Sequence, residues 1–130
     1  MKLPSVIIID DDEDCRWSQE HILEISGIEV VATGADGDEA FQLYEKFLPD
    51  VVILDLNMPI YDGTYAIEKI KDKYPDSKIV IVSAYMNDYE FDRNKVAGVL
   101  VKPYNRQELV RLIQIICSPI KLETARFKHL

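Results

Sequence analysis

Five short apolar-rich runs punctuate the chain: Val6–Ile9, Glu29–Ala32, Val51–Leu54, Ile79–Val82 and Val99–Val101. Most are continuous in Val and Ile rather than alternating, which is the pattern of strands buried on both faces. Between them, apolar residues recur at three- and four-residue spacing, as on one face of a helix. Ala40, Phe41, Tyr44 and Phe47 do so in Asp38–Phe47, and Ala66, Ile67 and Ile70 in Thr64–Tyr74. Leu109, Leu112, Ile113 and Ile116 share a face of Arg106–Ile116, and Asp14–Ile25 also reads as a helix. The pattern predicts βα repeated five times, an α/β domain whose right-handed crossovers put helices on both sides of a parallel sheet. Such sheets bind ligands beyond the carboxyl ends of their strands.

Those ends carry the candidate chemistry. Asp10–Asp14 is an unbroken acidic stretch after the first run, and Asp55 and Asn57-Met58-Pro59 follow the third. Ser83-Ala84 follows the fourth and Lys102-Pro103 the fifth, while the second ends in Thr33-Gly34 and brings no charge. Singly, each has an ordinary explanation. Acids at a helix start cap it and favour its dipole, a lone Ser is a turn hydroxyl, and a lone Lys is solvated. Their convergence on one edge of one sheet is the informative fact. Close carboxylates do not all stay ionised without a cation, and Mg²⁺ is a hard ion that takes oxygen ligands and keeps several waters. Mg²⁺ and Lys102 together would neutralise a transferring phosphoryl group, Ser83 would hydrogen-bond it, and Asp55 would be the carboxylate nucleophile.

The stretches Val6-Ile7-Ile8-Ile9-Asp10-Asp11 and Asp50–Gly63, with Ser83-Ala84 and Lys102-Pro103, resemble the receiver domains of two-component response regulators. The likeness covers about residues 5–117 and implies a flavodoxin-like five-stranded sheet of order 2-1-3-4-5. It further implies that Asp11, Asp55 and the Asn57 carbonyl bind Mg²⁺ directly, with Asp10 on a metal-bound water. Ser83 and Lys102 would hold phosphoryl oxygens, and Lys102-Pro103 would be cis. The implied partners are a sensor histidine kinase or phosphotransfer protein and an undefined downstream protein, and a dimer is compatible with this reading. Such a protein catalyses only its own phosphorylation and dephosphorylation. Two departures stand out. Val99 occupies a position where many receivers carry Tyr or Phe, and the Met86–Gly98 segment is about one turn short, so the fourth helix should be short or irregular.

Composition narrows the alternatives. The 130 residues suit one domain, and 48% hydrophobic and 29% charged residues suit a folded one. The net charge of −8 argues against direct DNA binding. Six basic and two acidic residues from Lys102 onward leave +4 there and −12 in the rest. No apolar run reaches bilayer length. Cys15 and Cys117 lack metal-ligand spacing and suggest a reducing, cytoplasmic setting. Residues 118–130 read as a short basic and apolar tail without an effector domain. An aspartyl-phosphate hydrolase fits less well, because its general acid would fall where Asn57 stands, and no glycine-rich phosphate loop follows the first strand. A receiver-like interaction module independent of phosphorylation is the other alternative.

Overall fold

The structure is a computed structural model, and it describes residues 3–84 and 91–118. The strands are β1 (Ser5–Ile9), β2 (Glu29–Gly34), β3 (Val51–Leu54), β4 (Ile79–Ser83) and β5 (Gly98–Val101). The helices are α1 (Glu13–Ile25), α2 (Gly37–Phe47), α3 (Gly63–Lys73) and α4 (Arg106–Cys117). All strand pairs are parallel, in the order β2-β1-β3-β4-β5. This is the flavodoxin-like sheet expected from the sequence. Between β4 and β5 the described residues hold a 3₁₀ turn, Arg93–Lys95. Residues 85–90, where the rest of the shortened fourth helix was expected, lie outside the described residues, as do 119–130 of the tail.

β1, β3 and β4 are buried along their whole length. Their alternate residues feed two cores, since successive strand side chains point to opposite faces. Ile7, Ile9, Val52, Leu54, Ile79 and Ile81 join Ala40, Tyr44, Ala66, Ile67 and Ile70 of α2 and α3, and Val99 packs on this cluster. Val6, Ile8, Val51, Ile53, Val80 and Val82 join Leu23, Leu109 and Ile113 of α1 and α4. At the amino ends of the strands Ser5 donates to the Asp50 carboxylate through its backbone N–H (2.8 Å) and its hydroxyl (3.2 Å). The Asp50 N–H returns a bond to the Ser5 carbonyl at 2.8 Å.

Each helix begins on a side chain that accepts first-turn N–H groups: Asp12 for α1, Asp36 for α2, Asp62 for α3 and Asn105 for α4. Caps of this kind contribute about 1 kcal/mol each. They also start every helix immediately above the sheet edge where the chemistry-bearing loops lie.

Candidate functional site

Hydrogen bonds at the sheet edge carry the backbone of three key residues one step beyond the strands. The Asp55 N–H bonds to the Ile9 carbonyl (2.9 Å), that of Asp10 to Gly34 (3.1 Å) and that of Lys102 to Ser83 (2.9 Å). Their side chains therefore leave from fixed positions. Asp10, Asp55 and Ser83 are buried, whereas Asp11 is exposed.

Carboxylate oxygens of Asp10, Asp11 and Asp55 all come within 4.8 Å of one another. The Lys102 Nζ donates to Asp10 Oδ2 at 2.9 Å and to Asp55 Oδ2 at 3.2 Å. The remaining oxygens are also engaged: Asp10 Oδ1 accepts from the Asp12 N–H and Asp55 Oδ1 from the Asn57 N–H, both at 2.9 Å. Burial pushes the pKa of Lys102 down, but the hydrogen bond and charge of Asp10, then those of Asp55, outweigh it and raise it above the ordinary 10.5. Because the folded-state value is the raised one, this stabilisation is fully present below pH 10.5 and is lost only as pH climbs through the folded value. Lys102 is thus an ammonium at neutral pH, and Lys102-Pro103 is cis.

The donor set suits a hard divalent cation. Three carboxylates from two adjacent loops converge, and one ammonium compensates only part of their charge. The acidic run also divides by role. Asp10 and Asp11 face the cluster, whereas Asp12 spends its carboxylate on the N–H groups of Asp14 and Cys15 as the cap of α1.

Several contacts here have no signature in the sequence. The Asn57 amide donates to the Ser83 hydroxyl at 2.9 Å, tying the loop after β3 to the end of β4. Arg16 reaches back to the Asp10 carbonyl at 2.6 Å, and Gln19 donates to the Tyr104 hydroxyl at 3.0 Å. Cys15 lies with its Sγ 4.0 Å from Lys102 Nζ, over the pocket as expected, and burial pushes its thiol pKa up. His21 is exposed, as expected, but it has a partner: it stacks on Trp17 at 5.4 Å, a pair that i,i+4 spacing could have signalled.

Gly63 opens α3 directly against the acid loop. A Cβ there would sit 2.6 Å from the Asp55 carbonyl oxygen and 2.7 Å from the Leu56 Cα, both backbone atoms that cannot swing aside. Gly63→Ala should therefore cost about 1–3 kcal/mol, the usual cost of overpacking, and should displace Asp55. Urea denaturation alongside a Mg²⁺ titration checks this; unchanged stability and affinity would show that the loop yields freely.

The chain has clear relatives. Residues 6–114 match the family described as the response regulator receiver domain. The chain belongs to the response regulator receiver family. It is 31% identical over 117 residues to the transcriptional regulatory protein DegU of Brevibacillus brevis, covering 87% of this chain and 50% of that protein. Against the transcriptional regulatory protein PrrA of Mycobacterium tuberculosis it is 34% identical over 116 residues, covering 87% and 49%. The receiver thus spans about half the length of these curated relatives. Among solved structures, a CheY-like response regulator receiver domain protein from Methanospirillum hungatei superposes with a TM-score of 0.82 at 26% identity, covering 98% of this chain and 99% of that one. A LuxR-family DNA-binding response regulator from Staphylococcus aureus gives 0.80 at 29%, covering 88% and 98%.

Proposed function

We propose that this receiver is a Mg²⁺-dependent phosphoacceptor in which Asp55 takes a phosphoryl group from a sensor histidine kinase, a phosphotransfer protein or a small donor. The observation that carries the reading is the bridging of Asp10 and Asp55 by Lys102 inside a three-carboxylate cluster. A carboxylate oxygen of Asp55 attacks phosphorus, the O–P bond forms, and the bond to the donor breaks with its electron pair leaving on the donor. Mg²⁺, when bound, would neutralise charge on the phosphoryl oxygens. Asp11, Asp55 and the Asn57 carbonyl would hold it, with Asp10 on a coordinated water. Lys102 supplies a second positive charge from its own side chain, and Ser83, released from Asn57, supplies a hydrogen bond. The chain turns over no separate substrate in this scheme.

The signal would leave through a partner-binding surface for a downstream protein, or through dimerisation, and not by direct DNA contact from these acidic residues. No helix among the described residues is long and apolar enough to cross a membrane; a cytoplasmic setting is part of the same proposal. Val99 lies against the α2–α3 core and has no ring to swing, being stiff at χ1. The switch is therefore assigned to the segment after β4, part of which lies outside the described residues.

The test is incubation with Mg²⁺ and acetyl phosphate, followed by intact mass. One hydroxylamine-labile phosphoryl group per chain is expected, and none with a chelator present. No uptake under either condition would leave the phosphorylation-independent module as the better reading.

The ligand roles divide the acidic run in a second measurable way. Asp11→Ala should weaken Mg²⁺ binding at least about tenfold, on the scale of losing one charge-assisted contact. Asp12→Ala should leave the affinity nearly intact and cost about 1 kcal/mol of stability through its lost cap. Isothermal titration with both variants decides it, and equal weakening in the two would mean a diffuse acidic patch.

A further inference from the structure

Arg16 grips the acidic turn after β1 on both sides. Its backbone N–H donates to the Asp12 carbonyl at 3.0 Å, the opening bond of α1. Its guanidinium Nη1 donates to the Asp10 carbonyl at 2.6 Å. Asp11 lies between these two carbonyls. Every residue from Asp10 to Asp14 is acidic, yet among the described residues the guanidinium bonds to this carbonyl and to none of their carboxylates. The rest of the turn is also held. The Asp10 N–H is on the Gly34 carbonyl at 3.1 Å, and Asp10 Oδ1 accepts the Asp12 N–H at 2.9 Å.

The consequence falls on Asp11. Its side chain is exposed, so burial in the core does not set its direction. Its peptide nitrogen, however, belongs to the same planar unit as the Asp10 carbonyl. Fixing that carbonyl fixes the plane from which Asp11 departs. It thereby fixes the corner of the three-carboxylate cluster that Asp11 supplies. Groups that orient a metal ligand in this way are worth about 10–100-fold in metal affinity.

We propose that Arg16 is a positioning residue for Mg²⁺, presenting the Asp11 carboxylate to the ion by way of the Asp10 carbonyl. The inference rests on the phosphoacceptor reading, which gives Asp11 to Mg²⁺.

The sign of one measurement separates positioning from charge. If the guanidinium acted only through its charge, removing it would tighten the binding of another cation nearby. If it positions Asp11, removing it weakens that binding. The experiment is isothermal titration of Mg²⁺ into the metal-free full-length chain. Arg16→Met, which keeps the aliphatic stem and suits a helix, should bind Mg²⁺ about tenfold more weakly. Arg16→Gln loses the charge and is too short to reach Asp10, and it should weaken binding equally; it carries the test if the first variant does not fold. The metal-free chain gives a second readout in two-dimensional NMR. The Asp11 amide shares its peptide unit with the Asp10 carbonyl and should shift in both variants. Unchanged or tighter Mg²⁺ binding overturns the proposal, and so does an Asp11 amide that stays in place. If the unaltered chain itself binds no Mg²⁺, the phosphoacceptor reading fails and this inference falls with it; if it binds Mg²⁺ and the variants bind as well, this inference alone fails.

Discussion

Asp55→Asn should take up no phosphoryl group under conditions in which the unaltered chain takes up one. The substitution is close to isosteric, and the backbone at this position is held by its bond to Ile9 and by the packing of Gly63, so the site keeps its shape. What changes is chemistry: an amide oxygen is a poor nucleophile and carries no charge for Mg²⁺ or for Lys102. The neighbouring acids are ill placed to substitute. Asp10 is buried more deeply than Asp55, at 2% against 8% exposed, Asp11 is assigned to Mg²⁺, and Asp12 is a helix cap. Uptake should fall by at least about a hundredfold, equivalent to some 2.7 kcal/mol in the barrier. Intact mass with and without hydroxylamine reads this directly. A labile phosphoryl group appearing on Asp55→Asn at the wild-type rate would move the acceptor to another residue.

Lys102→Met should be damaging in two separable ways. The first is kinetic: removing a preorganised cation aimed at developing charge typically slows transfer about 10²–10³-fold. The second is a loss of stability in the metal-free protein. Asp10 and Asp55 have side chains 3% and 10% exposed, and Lys102 is the cation bound to both. Breaking a buried pair by removing one partner costs about 3–5 kcal/mol. Lys102 itself is 22% exposed, so solvent screening reduces the expectation to about 2–3 kcal/mol. Mg²⁺ should return much of that loss, because a cation bound by the same acids stabilises the fold through linkage. Urea denaturation of the variant, with and without Mg²⁺, measures both quantities. A variant as stable as wild type without metal, or one that Mg²⁺ does not rescue, would show that the ammonium is not the counter-ion of these acids.

The fold was legible because its strands are continuous in Val and Ile and its helices start on Asp or Asn. Asp12, Asp36, Asp62 and Asn105 place the four helix starts within a residue of where periodicity puts them. β2 ends in Thr33-Gly34 as the sequence reads it, and Gly34 pairs with Ile9 and carries the ladder up to the acid loop. For the site, position at the strand ends was enough to collect Asp10, Asp11, Asp55 and Lys102, which the structure brings together. What remained hidden is how side chains meet across loops. Asn57 finds Ser83 at a separation of 26 residues and Gln19 finds Tyr104 at 85. No periodicity encodes such pairs, because each depends on the rotamers of two side chains from separate segments that only the finished sheet brings close.

The central strands raise a question of alignment. In β1, β3 and β4 nearly every side chain is Val, Ile or Leu, and both faces are buried. Sliding β3 one rung along β1 would turn each of its side chains toward the opposite core, but it would set one aliphatic residue where another stood. The polar ends make the difference. Such a slip would pull Asp50 away from Ser5 at one end, and at the other would carry Asp55 about 3.3 Å along the strand, away from Lys102. The carboxylates at the two ends of β3, Asp50 and Asp55, are therefore the alignment key of the sheet. A variant stripped of charge at both ends would retain its oil but lose its reading frame.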